Sequence, residues 1–217
     1  MTLASTDCRL IIVLETDAHG AGLERLEAML AAGGTAIACV LLTPLPGVTL
    51  GTGELGSAIR RIQARDVAVL LQADVELARA LGADGVHLTA GSDEDEARSR
   101  YAIARAALGS ERTVGASAGL SKHMAMVYGE IGADYVAFEG AAGEGQDESP
   151  GALAQWWTEL FEVPGVAMGV DSAAEADRLA AAGVEFIAVE LSGAAPEADA
   201  AHVALIAEAI ATGQRGR

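Results

Sequence analysis

The residues of this chain best suited to chemistry are one histidine, one serine and a scatter of carboxylates. His87 stands in Gly85-Val86-His87-Leu88, and Ser117 ends Val114-Gly115-Ala116-Ser117. Imidazole changes charge nearest neutral pH, so His87 is a candidate general acid or base. The Ser117 hydroxyl can donate, accept or attack beside a base. These two are the catalytic candidates. Asp74, in Gln72-Ala73-Asp74, and Asp93, in Ser92-Asp93-Glu94-Asp95-Glu96, carry the hard oxygen ligands that Mg2+ takes. Gln72 and Glu139 directly follow apolar runs, Thr16 stands two residues after one, and all three are candidates for holding a substrate. Backbone N–H groups at Gly169-Val170 and at Ser192-Gly193 are candidates for cradling one phosphate.

Several of these have a purely structural reading as well. His87 lies inside an apolar run, where a hydrogen-bonded interior histidine is the competing assignment. Ser117 lies in Gly115–Gly119 and also reads as a turn residue. The acidic run 92–96 reads either as a cation site or as the first turn of a helix, where the helix dipole favours carboxylates. The Gly- and acid-rich stretch Gly140–Ser149 reads as a lid or as a surface loop. Trp156 and Trp157 are adjacent, so at most one faces a core. Lys122 is the only lysine, and it is not on the run before Glu139, which argues against Schiff-base aldolase chemistry.

A repeat positions these residues. Gly33, Gly82, Gly132 and Gly183 recur at intervals of about 50 residues, each followed by a short β-rich run. Those runs are Ile37–Leu42, Gly85–Leu88, Tyr135–Phe138 and Phe186–Val189. Each glycine is expected to end a helix in the left-handed conformation that satisfies the last carbonyls. A second set of apolar runs lies between them: Arg9–Leu14, Val67–Leu71, Thr113–Ala116 and Val166–Met168. Near-continuous apolar strands alternating with helices imply a parallel sheet covered on both faces. Four repeats of two strand–helix units predict an α/β fold, a single (β/α)8 TIM barrel over residues 1–217. A doubly wound open sheet is the competing architecture.

Local signals agree. Met124, Val127, Tyr128 and Ile131 follow helical spacing, Ser149-Pro150 reads as an N-cap and first helical residue, and Ser172 to Glu175 reads as a capping box. The last helix is expected over Glu197–Ala211, with a polar tail from Thr212. Catalysis in such barrels sits at the carboxyl ends of the strands. The predicted mouth is therefore acidic, with Glu15, Asp74, Glu139 and Glu190 on its rim.

Composition sets the outer limits. A chain of 217 residues with 51% hydrophobic residues has enough apolar material for one sizeable core. Aromatics are only 4%, so the core must come from Ala, Val, Leu and Ile. The formal charge of −17 repels phosphate backbones and argues against nucleic-acid binding. No apolar run is long enough to span a membrane, and the start lacks a signal-peptide layout. Cys8 and Cys39 show no metal or redox spacing. The expectation is a soluble cytoplasmic protein with a small-molecule ligand, no nucleic acid and no membrane.

At this point a family resemblance emerges. Leu81-Gly82-Ala83-Asp84-Gly85-Val86-His87-Leu88, Gly132-Ala133-Asp134-Tyr135-Val136, Val114-Gly115-Ala116-Ser117, Val166-Ala167-Met168-Gly169 and Thr16-Asp17 stand in register with the repeats. Together they resemble thiamine phosphate synthase and its sister, the thiazole tautomerase TenI. The resemblance implies a protein of thiamine metabolism, acting on or binding a thiazole or pyrimidine phosphate precursor. It implies transferase chemistry with Mg2+ on a diphosphate leaving group, and pairing into a homodimer.

The chain also departs from the family pattern. Ala38-Cys39-Val40-Leu41 stands where the family carries Gln-x-Arg, Ala73 where it carries a metal-binding Asp, and Val170 where it carries the second Gly of a phosphate turn. Ala141–Gln146 replaces a Thr-x-Thr-Lys loop, and Gly119 stands at the tautomerase histidine. Most departures remove a cation, a metal ligand or a phosphate seat, and the last removes a catalytic histidine. The alternative expectation is thus a barrel that has lost the catalysis and serves as a small-molecule-binding or scaffold protein.

Overall fold

Eight parallel strands close into a barrel in chain order, each followed by a helix that packs outside it. The strands are β1 Arg9–Thr16, β2 Ile37–Pro44, β3 Ala68–Gln72, β4 Gly85–Leu88, β5 Thr113–Ser117, β6 Val136–Phe138, β7 Gly165–Ala167 and β8 Phe186–Glu190. The helices are α1 Leu26–Gly33, α2 Gly53–Gln63, α3 Val75–Leu81, α4 Glu94–Leu108, α5 Lys122–Glu130, α6 Pro150–Leu160, α7 Ala173–Ala182 and α8 Pro196–Arg215. The computed structural model describes residues 7–17, 20, 22–50, 52–140, 148–191 and 195–216. The (β/α)8 expectation is met, and closure excludes the open sheet.

Two apolar layers follow from the alternation of strand side chains. One set points outward: Leu10, Ile12 and Leu14 of β1, Val69 and Leu71 of β3, and Ile187 and Val189 of β8 pack beneath the helices. The other points inward: Ile11, Val13, Cys39, Leu41, Leu70, Tyr135, Val166 and Met168 fill the barrel. Burying one such Leu, Ile or Val contributes about 1.5–3 kcal/mol. Trp157 is fully buried in the outer layer, and Trp156 is half-buried.

The repeat has a physical cause. Asp84 accepts from the Val69 N–H at 2.7 Å, Asp134 from Val114 at 2.6 Å, and Glu185 from Gly165 at 3.1 Å. Each acid follows its Gly-x pair and clamps the start of the strand before its own. The Gly-Ala-Asp motif is thus a structural device at the base of the barrel. Gly82, Gly132 and Gly183 take φ of 72°, 87° and 96°, as expected.

Gly33 does not. It stays helical at φ −84°, and Gly34 makes the left-handed step at φ 52°. A side chain at Gly33 would meet Ile37 at 2.5 Å, so packing takes the first glycine and the turn takes the second.

The last helix also differs from expectation. It runs through Thr212 to Arg215, so no tail begins there. Gly213 is buried against α7, and the Gln214 amide donates to the Cys8 carbonyl at 3.0 Å. These contacts give the polar end of the helix a place to pack. A buried Arg25–Asp199 ion pair further ties α8 to the turn before α1. Among the described residues, no helix is long and apolar enough to cross a membrane.

Candidate functional site

The carboxyl ends of the strands surround a cavity of about 590 Å³. Register decides which side chains reach it. Glu15 of β1 lies beside Thr43 of β2, Val13 beside Glu190 of β8, and Gln72 of β3 beside His87 of β4. Glu139, just after β6, completes the polar ring, over a floor of Val13, Leu41 and Met168. A second space of about 310 Å³ adjoins the first and shares Glu139, Met168 and Glu190. It reaches Gly169, Val170, Glu175 and the start of α6 at Pro150-Gly151.

His87 is only 2% exposed. Its Nδ1 lies 2.8 Å from the Tyr135 hydroxyl, and the two rings stack. Burial pushes the imidazole pKa down to about 4, against a smaller upward pull from Glu139. Burial likewise raises the Tyr135 phenol well above its ordinary value, with Cys39 and Glu139 adding to the rise. The pair is therefore neutral at pH 7. Either tautomer leaves Nε2 as the free hydrogen-bonding atom, and it has no partner among the described residues. The Thr43 hydroxyl, on the same cavity, is also without one. A buried polar atom left unpaired costs about 1–3 kcal/mol, which a ligand reaching it would recover.

The sequence candidates divide. His87, Gln72 and Glu139 converge on the first cavity, and Gly169 and Val170 line the second. Ser117 is fully buried, its hydroxyl accepts from the Gly119 N–H at 3.1 Å, and it lines neither cavity. The interior-histidine and turn readings thus describe where His87 and Ser117 sit, though His87 still lines the cavity. Thr16 is fully buried off the cavity, and its neighbour Glu15 takes the place expected of it. Ser192 and Gly193 lie outside the described residues, as does most of the loop read as a lid, at 141–147.

Asp74 and Asp93 are helix caps. Asp74 accepts from Leu77 N–H at 2.9 Å at the start of α3, and Asp93 from Glu96 N–H at 2.9 Å at the start of α4. Neither lines the cavity, and the described residues hold no group of three or more His, Cys, Asp or Glu able to hold a metal. Held as caps and off the cavity, these two carboxylates do not by themselves build a Mg2+ site there.

Two residues escaped the sequence reading. Tyr135 was visible in principle, because Tyr135, Ala137 and Glu139 alternate on the inward face of one strand. Glu175 was read as half of a capping box. Ser172 does accept from its N–H at 3.3 Å, but its carboxylate lies against Gly151 of α6. No local pattern announces that contact.

The family model described as thiamine monophosphate synthase matches residues 10–192. The chain belongs to the thiamine monophosphate synthase family. A protein named thiamine-phosphate synthase from Erythrobacter litoralis is 35% identical over 212 residues, covering 94% of this chain and 95% of that one. Another of that name, from Rhodospirillum centenum, is 41% identical over 59% of this chain and 61% of its own length. Among solved structures, thiamine phosphate pyrophosphorylase from Pyrococcus furiosus superposes with a TM-score of 0.72 at 20% identity, covering 98% of this chain and all of that one. That likeness concerns the fold. The resemblance read from Gly-Ala-Asp and its companion motifs therefore holds at the level of the family.

Proposed function

We propose that this member of the family binds a thiazole or pyrimidine ring of thiamine metabolism in the mouth of its barrel, and does not join the two rings. The observation that carries this reading is the charge of the mouth. Glu15, Glu139 and Glu190 line one cavity, and none of its described lining residues is Lys or Arg. A departing diphosphate needs the opposite arrangement. At about 5 Å, each carboxylate opposes each unit of its charge by about 1–3 kcal/mol in surroundings between bulk water and protein surface. The apolar floor and the unpaired His87 Nε2 and Thr43 hydroxyl suit a flat heterocycle with a hydrogen-bonding edge.

The test is an assay of the purified protein with pyrimidine diphosphate, thiazole phosphate and Mg2+, alongside calorimetry with each heterocycle in phosphorylated and free form. Binding of a heterocycle without formation of thiamine phosphate is expected. Turnover, or no binding of any of them, overturns the proposal. The opposite reading, a working synthase, draws support from the name of the relative that is 35% identical over 94% of the chain. Turnover in the same assay is its signature.

A further inference from the structure

We infer that the mouth takes an organic monocation that carries no phosphate: a charged heteroaromatic ring seated over Val13, Leu41 and Met168, with Glu139 and Glu190 beside it. This rests on the reading that the mouth is the ligand site, and adds the charge of what it holds. Three observations carry it.

First, among the described residues no Lys or Arg lines the first cavity to answer its negative charge. Arg100 and Lys122, on the neighbouring helices, are engaged elsewhere. Arg100 donates to Thr89 at 3.0 Å and pairs with Glu96, and Lys122 pairs with Glu148. The residues outside the described set at 18–19, 21, 51, 141–147 and 192–194 include no Lys or Arg.

Second, His87 is an independent sign of a ligand. Its Nε2 is buried and unpartnered on the same cavity. A ligand that reached it would meet one directional hydrogen-bonding group, and as a neutral ring it adds no positive charge.

Third, the adjoining space is acidic as well. It is lined by Glu139, Glu175 and Glu190. A side chain built at Gly151 would meet the Glu175 carboxylate at 2.6 Å, so the first turn of α6 already faces an anion from its own chain, one that Arg178 of α7 also pairs with at 3.7 Å. An N-terminus that would attract a phosphate is met from within.

Calorimetry of the whole chain with N-methylthiazolium, neutral thiazole and inorganic diphosphate tests the inference, the last with and without Mg2+. The cation is expected to bind at least about tenfold more tightly than the neutral ring at low ionic strength. The gap should narrow as salt screens the exposed carboxylates, and diphosphate should give no heat. Glu139→Gln with Glu190→Gln should close the gap; Glu15→Gln, at an exposed strand end, should narrow it if the double variant does not fold. Equal binding of cation and neutral ring, tighter binding of diphosphate, no binding of either ring, or a gap that survives these substitutions overturns the inference. If no thiamine precursor binds while N-methylthiazolium is still preferred over thiazole, the proposed function falls and the charge assignment stands.

Discussion

His87 and Tyr135 stack inside the barrel with ring centroids 5.8 Å apart and planes 12° from parallel, joined by a 2.8 Å hydrogen bond between Nδ1 and the phenol. They come from β4 and the residue just before β6, with β5 between them. The strand between them makes this possible at one residue. Gly115 has no side chain, and an added Cβ would sit 2.0 Å from the Tyr135 ring. A glycine in a buried strand thus opens the path by which one polar side chain orients another.

Burial of His87 predicts a pH dependence of stability. Its folded pKa of about 4 lies below the ordinary 6.5, so the unfolded chain binds more protons between these values. Stability contributed by the neutral ring is full above about pH 6.5 and is lost as the pH falls toward 4, a change of about 3 kcal/mol. Urea unfolding of His87→Asn beside the parent chain should show a shallower slope across that window. Parallel curves would sink the assignment.

Gly115→Ala is expected to destabilise by about 3 kcal/mol or more, through overpacking against Tyr135. Adding Tyr135→Ala to Gly115→Ala should recover part of that loss, and a double-mutant cycle measures the coupling. Additive losses would place the strain somewhere other than the ring.

Asp93→Ala and Asp74→Ala should each cost about 1 kcal/mol, the usual loss of a helix cap, while Asp→Asn at either position should cost little. Mg2+ titration of the parent chain and of both Ala variants should be indistinguishable. A Mg2+ affinity abolished by either substitution would return these residues to the role of ligand.

The Arg25–Asp199 pair is nearly closed to solvent, with side chains 10% and 4% exposed. Asp199→Ala leaves a guanidinium buried without its partner, and a loss of about 3–5 kcal/mol is expected. Replacing both residues by apolar ones of similar volume should restore most of it. Chemical denaturation of the single and double variants checks this.

The fold was legible because the repeat is written in backbone necessities. Gly82, Gly132 and Gly183 stand where only a left-handed step ends the helix, and the acid after each clamps a strand start. The site was less legible, because side chains of a strand alternate and an error of one residue turns to the opposite face. Thr16, named as a substrate residue, points away from the cavity that its neighbour Glu15, expected on the rim, does line. Glu175 shows a second kind. It sits in a recognisable helix start, pairs with Arg178 of its own helix, and yet also lies against Gly151 of another helix, a relation between elements that no single segment records.

The hydrogen bond from Gln214 to the Cys8 carbonyl brings the last helix back to the first strand. Cys8 and Gln214, which meet in space, can be joined there by a short peptide and the ring opened at another helix–strand connection, with every strand keeping its neighbours. The exposed Gly109–Glu111 turn between α4 and β5 is such a place. The covalent order of the units is then a matter of synthesis, and the closed ring of strands is what must be preserved.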